Sequence, residues 1–207
     1  LALEMPSEPG EYEIRYTLRQ DNEVLVTAPI TINAIKAELI VPERANAGDS
    51  IPIGWNGPDY DNDFIVIGLV GDTSYVNYQR TSTGNPLELQ MPAEPGTYEV
   101  RYTMRQDNKV IGLETIIVDP VSAQLTAPST IKQGEELTVG WDGPDYENDF
   151  VTISKADEPN GYETYERTSR GNPLTLRVPD APGDYEIRYL MRQDNTILAR
   201  IPLTVTK

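Results

Sequence analysis

A ten-residue string recurs almost unchanged along this chain of 207 residues. Trp55-Asn56-Gly57-Pro58-Asp59-Tyr60-Asp61-Asn62-Asp63-Phe64 returns as Trp141-Asp142-Gly143-Pro144-Asp145-Tyr146-Glu147-Asn148-Asp149-Phe150. Arg80-Thr81-Ser82-Thr83-Gly84-Asn85-Pro86-Leu87 returns as Arg167-Thr168-Ser169-Arg170-Gly171-Asn172-Pro173-Leu174. The first pair is offset by 86 positions (55 to 141) and the second by 87 (80 to 167). One extra residue therefore lies between the landmarks, near Gly71 in one copy and Asp157 to Gly161 in the other, where a turn absorbs it without disturbing strand register. A third element occurs three times: Pro9-Gly10-Glu11-Tyr12-Glu13-Ile14-Arg15-Tyr16, then Pro95 to Tyr102, then Pro182 to Tyr189, each leading into Arg-Gln-Asp-Asn. Self-similarity on this scale fixes a repeat architecture before any single residue is interpreted. The units are 1–34, which copies only the second half of a repeat, then 35–119 and 120–207, which are whole.

Within a unit the apolar period is two. Tyr98, Val100, Tyr102 and Met104 alternate with Glu99, Arg101, Thr103 and Arg105, so the first set is expected in a core and the second in solvent. Asp107-Asn108 suits a tight hairpin turn, because Asx residues tolerate left-handed backbone angles. Strands are predicted near 37–41, 50–55, 64–70, 74–80, 86–91, 97–105 and 109–118. No segment carries a helical apolar stripe. Seven short strands in one unit, punctuated by Gly, Pro, Asn and Asp, predict an all-β chain: tandem immunoglobulin/fibronectin-like seven-stranded β-sandwich repeats. They are preceded by a half repeat of three strands, near 1–5, 11–19 and 23–33. Tyr12, Tyr98 and Tyr185 follow Pro-Gly-x at the start of the penultimate strand, the place of a tyrosine corner. Trp55 and Trp141 close the second strand and are expected as large packing anchors. The Tyr75/Tyr78 and Tyr162/Tyr165 pairs are the aromatic candidates for an exposed sugar platform.

What the chain lacks narrows its chemistry. It has no cysteine and no histidine, which excludes disulfide staples, Ser-His-Asp or Cys-His hydrolases and His- or Cys-ligated zinc. Paired carboxylates abound, but nothing singles out a pair for glycoside hydrolysis, so no enzyme is expected. Lys and Arg number 17 against 33 Asp and Glu, a net charge of −16, which repels nucleic acid and anionic lipid alike. No stretch reaches the ~20 apolar residues of a membrane span.

The strings Trp-(Asn/Asp)-Gly-Pro to Asn-Asp-Phe, Gly-Asn-Pro-Leu and Pro-Gly-x-Tyr-Glu-(Ile/Val)-Arg-Tyr resemble the Ig-like repeats trailing the von Willebrand A domain in certain bacterial exported proteins. The Asp-x-Ser-x-Ser metal site of that domain is absent here. The resemblance implies an extracytoplasmic bacterial location (periplasm, cell surface or secreted) and a spacer, scaffold or interaction role.

Two sets of side chains are candidate ligand-binding sites. Asp59, Asp61 and Asp63, with counterparts Asp145, Glu147 and Asp149, have oxygen spacing suited to Ca²⁺, although Phe64 and Phe150 stand where an EF-hand loop needs glycine. The alternative is a tight acidic turn whose last carboxylate accepts backbone N–H groups. Arg15, Arg101 and Arg188 lie in rows read as outward-facing, able to bind a carboxylate or sulfated polymer or to pair with acidic neighbours. No other cofactor is expected. Three strands of a seven-stranded sandwich leave an apolar face uncovered. That predicts a protein partner: either a missing upstream half repeat, or self-association through residues 1–34 into a head-to-tail filament. The function expected is a non-catalytic structural segment of a surface repeat protein; a Ca²⁺- or glycan-binding adhesion module is the alternative. Short junctions near Ala34 to Ala37 and Asp119 to Ala123 predict a stiff, extended arrangement.

Overall fold

The computed structural model of the chain describes residues 2–207. Strands β1 (Gly10–Thr17) and β2 (Val24–Ile32) pair antiparallel, Gly10 opposite Ile32 and Tyr16 opposite Val26, and make a two-stranded sheet. Then follow β3 (Glu38–Ile40), β4 (Arg44–Asn46), β5 (Ser50–Asn56), β6 (Phe64–Leu69), β7 (Asn77–Arg80), β8 (Leu87–Gln90), β9 (Gly96–Met104) and β10 (Lys109–Asp119). One sheet runs in the order β3-β5-β8 and the other β4-β10-β9-β6-β7. The plan returns with β11 (Gln124–Thr126), β12 (Thr130–Lys132), β13 (Glu136–Asp142), β14 (Phe150–Lys155), β15 (Thr164–Arg167), β16 (Leu174–Arg177), β17 (Gly183–Met191) and β18 (Thr196–Thr206). These form sheets β11-β13-β16 and β12-β18-β17-β14-β15. The chain is all-β, and among the described residues no helix is long and apolar enough to cross a membrane.

Each full repeat has eight strands rather than the seven expected, because the first is broken in two. Pro42 and Pro128 stand at the break. A proline cannot donate to a ladder, so the strand stops there and resumes against another neighbour. Its first half pairs antiparallel with β5, Leu39 opposite Trp55. Its second half crosses to the other sheet and runs parallel to β10, with Arg44, Ala45 and Asn46 opposite Ile117, Val118 and Asp119. Likewise Thr130, Ile131 and Lys132 run parallel to Thr204, Val205 and Thr206. The strand expected near 1–5 is a second correction: residues 2–5 lie in no ladder. Their sequence counterparts, β8 and β16, are held by β5 and β13, and the described residues 2–34 contain no such neighbour.

By contacts the chain divides into two compact units. One comprises residues up to Glu43, Ile51–Leu89 and Thr97–Ile116; the other comprises Arg44–Ser50, Gln90–Gly96 and Ile117–Lys207. In the first, Ile53, Ile65, Ile67, Leu89, Val100, Tyr102 and Ile116 are all sealed from solvent. In the second, Val139, Val151, Ile153, Val178, Ile187, Tyr189 and Leu203 do the same work. All come from the period-two pattern that sends alternate side chains to one face. The hairpin turns are as the sequence predicts: Asp107 and Asn108 have φ of 60° and 52°, and Asp194 and Asn195 have 56° and 53°. Two successive left-handed residues match the right-handed twist of the strands they join.

Candidate functional site

The acidic loop Asp59–Asp63 is organised by its last residue. Asp63 is 1% exposed; its Oδ2 accepts from the Tyr60 N–H (3.1 Å) and the Tyr102 hydroxyl (3.0 Å), and its Oδ1 accepts from the Arg105 N–H (3.0 Å). The Tyr102 oxygen in turn accepts from the Asp59 N–H at 3.0 Å. Asp149 repeats this with Tyr146 N–H, Tyr189 hydroxyl and Arg192 N–H. Burial pushes the Asp149 carboxyl up, against the lowering effect of those three donors. Burial also drives the Tyr102 and Tyr189 hydroxyls far above the ordinary phenol range, with the neighbouring carboxylates adding to it. Asp59, Asp61, Asp145 and Glu147 are exposed at the loop surface, and Asp59 and Asp145 take left-handed backbone angles. Among the described residues no cluster of three or more acidic side chains is poised around a cation position. Gly57 is there because a Cβ would lie 2.9 Å from the Tyr102 ring; Gly143 meets Tyr189 the same way.

Arg101 and Arg188 do not face solvent, as the alternation had suggested. They are 5% and 2% exposed. Arg101 donates to the carbonyls of Asp72 and Ser74, and Arg188 to those of Glu158 (2.8 Å), Pro159 (3.1 Å) and Lys155 (3.2 Å) while pairing with Glu186 at 2.8 Å. The loops that follow β6 and β14 fold back over that face, and five guanidinium donors satisfy carbonyls that water would otherwise need to reach. Arg15 occupies the matching position on β1, yet its side chain is 61% exposed and pairs only with Glu13, at 3.1 Å. No loop covers it among the described residues of that segment.

The same contrast holds on the apolar face. Val100, Tyr102, Ile187 and Tyr189 are sealed, whereas their counterparts Ile14 and Tyr16 are 39% and 63% exposed. Val26, opposite Tyr16 on β2, is exposed too. Beside this open sheet lies a cavity of about 1010 Å³, bounded by Met5, Thr31, Ile32 and Asn33 on one side and by Tyr60, Met104 and Arg105 on the other. One hydrogen bond closes its rim: Gln106 Nε2 donates to the Met5 carbonyl at 2.9 Å. Lys109 adds an ion pair to Glu8 at 2.8 Å, and Ser7 donates to Asp107 at 2.7 Å.

Trp55 is buried, stacks edge-on to Tyr102 at 5.7 Å and donates Nε1–H to the Gly84 carbonyl. Its backbone N–H and C=O are both bound by the Asn85 side chain, at 3.2 and 2.7 Å. Asn172 serves half-buried Trp141 identically. That is what the recurrent Gly-Asn-Pro-Leu string does, a role the sequence alone left unassigned. Tyr12 and Tyr185 donate to the carbonyls of Glu8 and Ala181, four residues upstream, as tyrosine corners do; Tyr98 is buried at the same position. Tyr75 and Tyr78 are about half exposed and pack edge-on to each other at 5.6 Å and to Phe64, with Tyr162, Tyr165 and Phe150 as the copy.

No family model and no curated protein matches the chain. Among solved structures it is similar to the adhesin InvE of Yersinia pseudotuberculosis: 15% identical, TM-score 0.32, covering 84% of this chain and 59% of that one. It is similar also to the D00-D0 domain of intimin, at 14% identity and TM-score 0.30, covering 83% of this chain and 100% of that one. A beta-glycosidase from Bacteroides vulgatus is 13% identical with TM-score 0.27, covering 84% of this chain and 25% of that one. The chain thus spans less than two thirds of the first of these structures. Its own paired sheets, crossing first strands and tyrosine corners make it an all-β protein of immunoglobulin-like sandwiches.

Proposed function

We propose that the chain is a non-catalytic structural segment of a bacterial extracytoplasmic or surface protein, and that the open sheet of residues 10–32 is completed by a further half repeat of the same kind, a preceding one or that of another copy. The observation that carries this is the contrast between equivalent positions: Ile14 and Tyr16 are exposed where Val100, Tyr102, Ile187 and Tyr189 are sealed. Covering one such side chain is worth roughly 1.5–3 kcal/mol. An open sheet with several of them favours a protein partner over water. The extracytoplasmic setting draws on the Trp-x-Gly-Pro, Gly-Asn-Pro-Leu and Pro-Gly-x-Tyr strings and their resemblance to exported bacterial repeats. The buried carboxylates Asp63 and Asp149 support a scaffold role, since each spends its oxygens holding a loop to a strand.

The test is the association state. Light scattering across a concentration series should show the full chain forming oligomers or filaments, and the chain lacking residues 1–34 remaining monomeric. Polymers that persist after the truncation, or a full chain that stays monomeric throughout, would rule out completion by another copy.

A further inference from the structure

Each full repeat carries three aromatic side chains on the sheet face turned away from its core. In the first, Phe64 stands opposite Arg80 and Thr103 in the ladders, and Tyr78 opposite Val66. Tyr75 reaches the same face from the loop after β6, and the three ring centroids lie 5.6 to 6.3 Å apart. In the second, Phe150, Tyr162 and Tyr165 repeat the set at 5.3 to 6.2 Å. The four tyrosines are 48–54% exposed. The two loops differ in sequence and by one residue in length, yet both deliver a tyrosine onto the phenylalanine. Each loop is held down from beneath: Arg101 donates to the Asp72 and Ser74 carbonyls, and Arg188 to those of Glu158 and Pro159.

A pair of arginines flanks each aromatic set. Asn62, Phe64, Tyr75, Tyr78, Arg80 and Arg105 line a cavity of about 470 Å³. Asn148, Arg167 and Arg192 line its copy with the second set of rings, a cavity of about 140 Å³. These four arginines are exposed, and none makes an ion pair among the described residues, although the chain has 33 acidic side chains to 17 basic. Other exposed arginines do: Arg170 pairs with Glu166 at 3.1 Å and Arg177 with Asp180 at 3.3 Å. Three of the four donate instead to neutral amides, Arg80 to Asn62 at 2.5 Å, Arg105 to Asn108 at 3.4 Å and Arg192 to Asn195 at 3.0 Å. An amide oxygen steadies a guanidinium without neutralising it, so the charge and the remaining donors stay available.

The backbone groups under this face are taken up by the ladders, so a ligand here is recognised by side chains. Exposed aromatic rings pack against the C–H face of a sugar, amide and phenol groups meet its hydroxyls, and guanidinium forks meet a carboxylate. An extended peptide draws its affinity from main-chain pairing, which a sheet face does not offer. The net charge of −16 repels a polyanion, whereas a single carboxylate is screened from charges beyond about 8–10 Å at physiological ionic strength. We infer that the outer face of each full repeat binds a glycan bearing isolated acidic sugars. The rings hold the saccharide, and Arg80 with Arg105, or Arg167 with Arg192, hold its carboxylate. This adds a binding function to the structural one, and it stands whether or not the sheet of residues 10–32 is completed.

The test titrates the full chain by calorimetry with two singly charged oligosaccharides, glucuronyl-xylotriose and sialyllactose, and with the neutral methyl ester of each. At least one acid should bind saturably at two sites per chain, and its ester about tenfold more weakly. Amide NMR shifts should centre on residues 62–80 and 148–167. The double variant Tyr75→Ala, Tyr162→Ala should bind about tenfold more weakly, and Arg80→Gln, Arg167→Gln should lose the preference for acid over ester. Thermal melts show whether the variants stay folded. The milder pair Arg80→Lys, Arg167→Lys keeps the charge but not the fork, and should bind about threefold more weakly. No saturation by either acid at millimolar concentration, equal binding of acid and ester, or shifts centred elsewhere would overturn the site. Tetraglutamate that binds as tightly as the acidic sugars would overturn it too, making the face a seat for acidic peptide.

Discussion

Arginine at one repeat position leads two different lives in this chain. Arg101 and Arg188 are interior clips, each holding a loop by its carbonyls, while Arg15 is a solvated surface side chain. Removing a buried charge-bearing partner leaves carbonyls and a carboxylate unpaired, which costs about 3–5 kcal/mol. Arg101→Ala and Arg188→Ala are expected to lose that much in urea unfolding, and Arg15→Ala no more than about 0.5 kcal/mol. Fluorescence of Trp55 or Trp141, with the other replaced by Phe, reads each repeat separately. A large loss at Arg15 would show that its side chain is already covered in solution. The buried tyrosines set an alkaline limit. The folded-state values for Tyr102 and Tyr189 are raised, so the folded protein keeps their protons when the unfolded chain gives them up. Stability is therefore unaffected below about pH 10 and falls as pH rises above it, by at most about 1.4 kcal/mol per pH unit for each tyrosine. Tyr102→Phe should flatten that slope in pH-dependent melts, and an unchanged slope would exclude this source.

Among the elements, the β9–β10 hairpin shows how local chemistry fixes register. Asn108 is left-handed, a conformation that costs a β-branched residue roughly 1–2 kcal/mol. Asn108→Val is expected to destabilise its repeat by about that amount and Asn108→Gly to be neutral or slightly stabilising; thermal melts distinguish them. Turn, alternation and tyrosine corner were all legible in the sequence, because each is a rule about neighbouring residues. The broken first strand was less so. Pro42 and Pro128 announced an interruption, but which sheet receives the second half depends on a neighbour some 70 residues away, β10 or β18. The outward assignment of Arg101 and Arg188 failed for a similar reason. Period two tells which side chains share a face, not whether a distant loop later covers it. In the acidic loop, Asp63 and Asp149 were visible as a pattern, while their shared use by a tyrosine from another strand was not.

At the scale of the molecule, the chain repeats a structural solution and displays it at two stages. The segments with both halves seal their cores; the segment with one half presents the same side chains uncovered. The strings of residues 9–22 recur in both later units, and the coordinates add that their two strands stand as a two-stranded sheet. A net charge of −16 opposes any crowding of copies, so association has to be won by specific fit rather than general stickiness. The crossing strand has a mechanical consequence. Because β4 runs parallel to the end of β10, pulling on the two ends of a full repeat drags Arg44–Asn46 lengthwise against Ile117–Asp119, and the ladder bonds share the load at once instead of unzipping singly. Thr130–Lys132 and Thr204–Thr206 form the same shear lock. Among the described residues the hairpin of β1 and β2 pairs only antiparallel, so this shear lock belongs to the two full repeats.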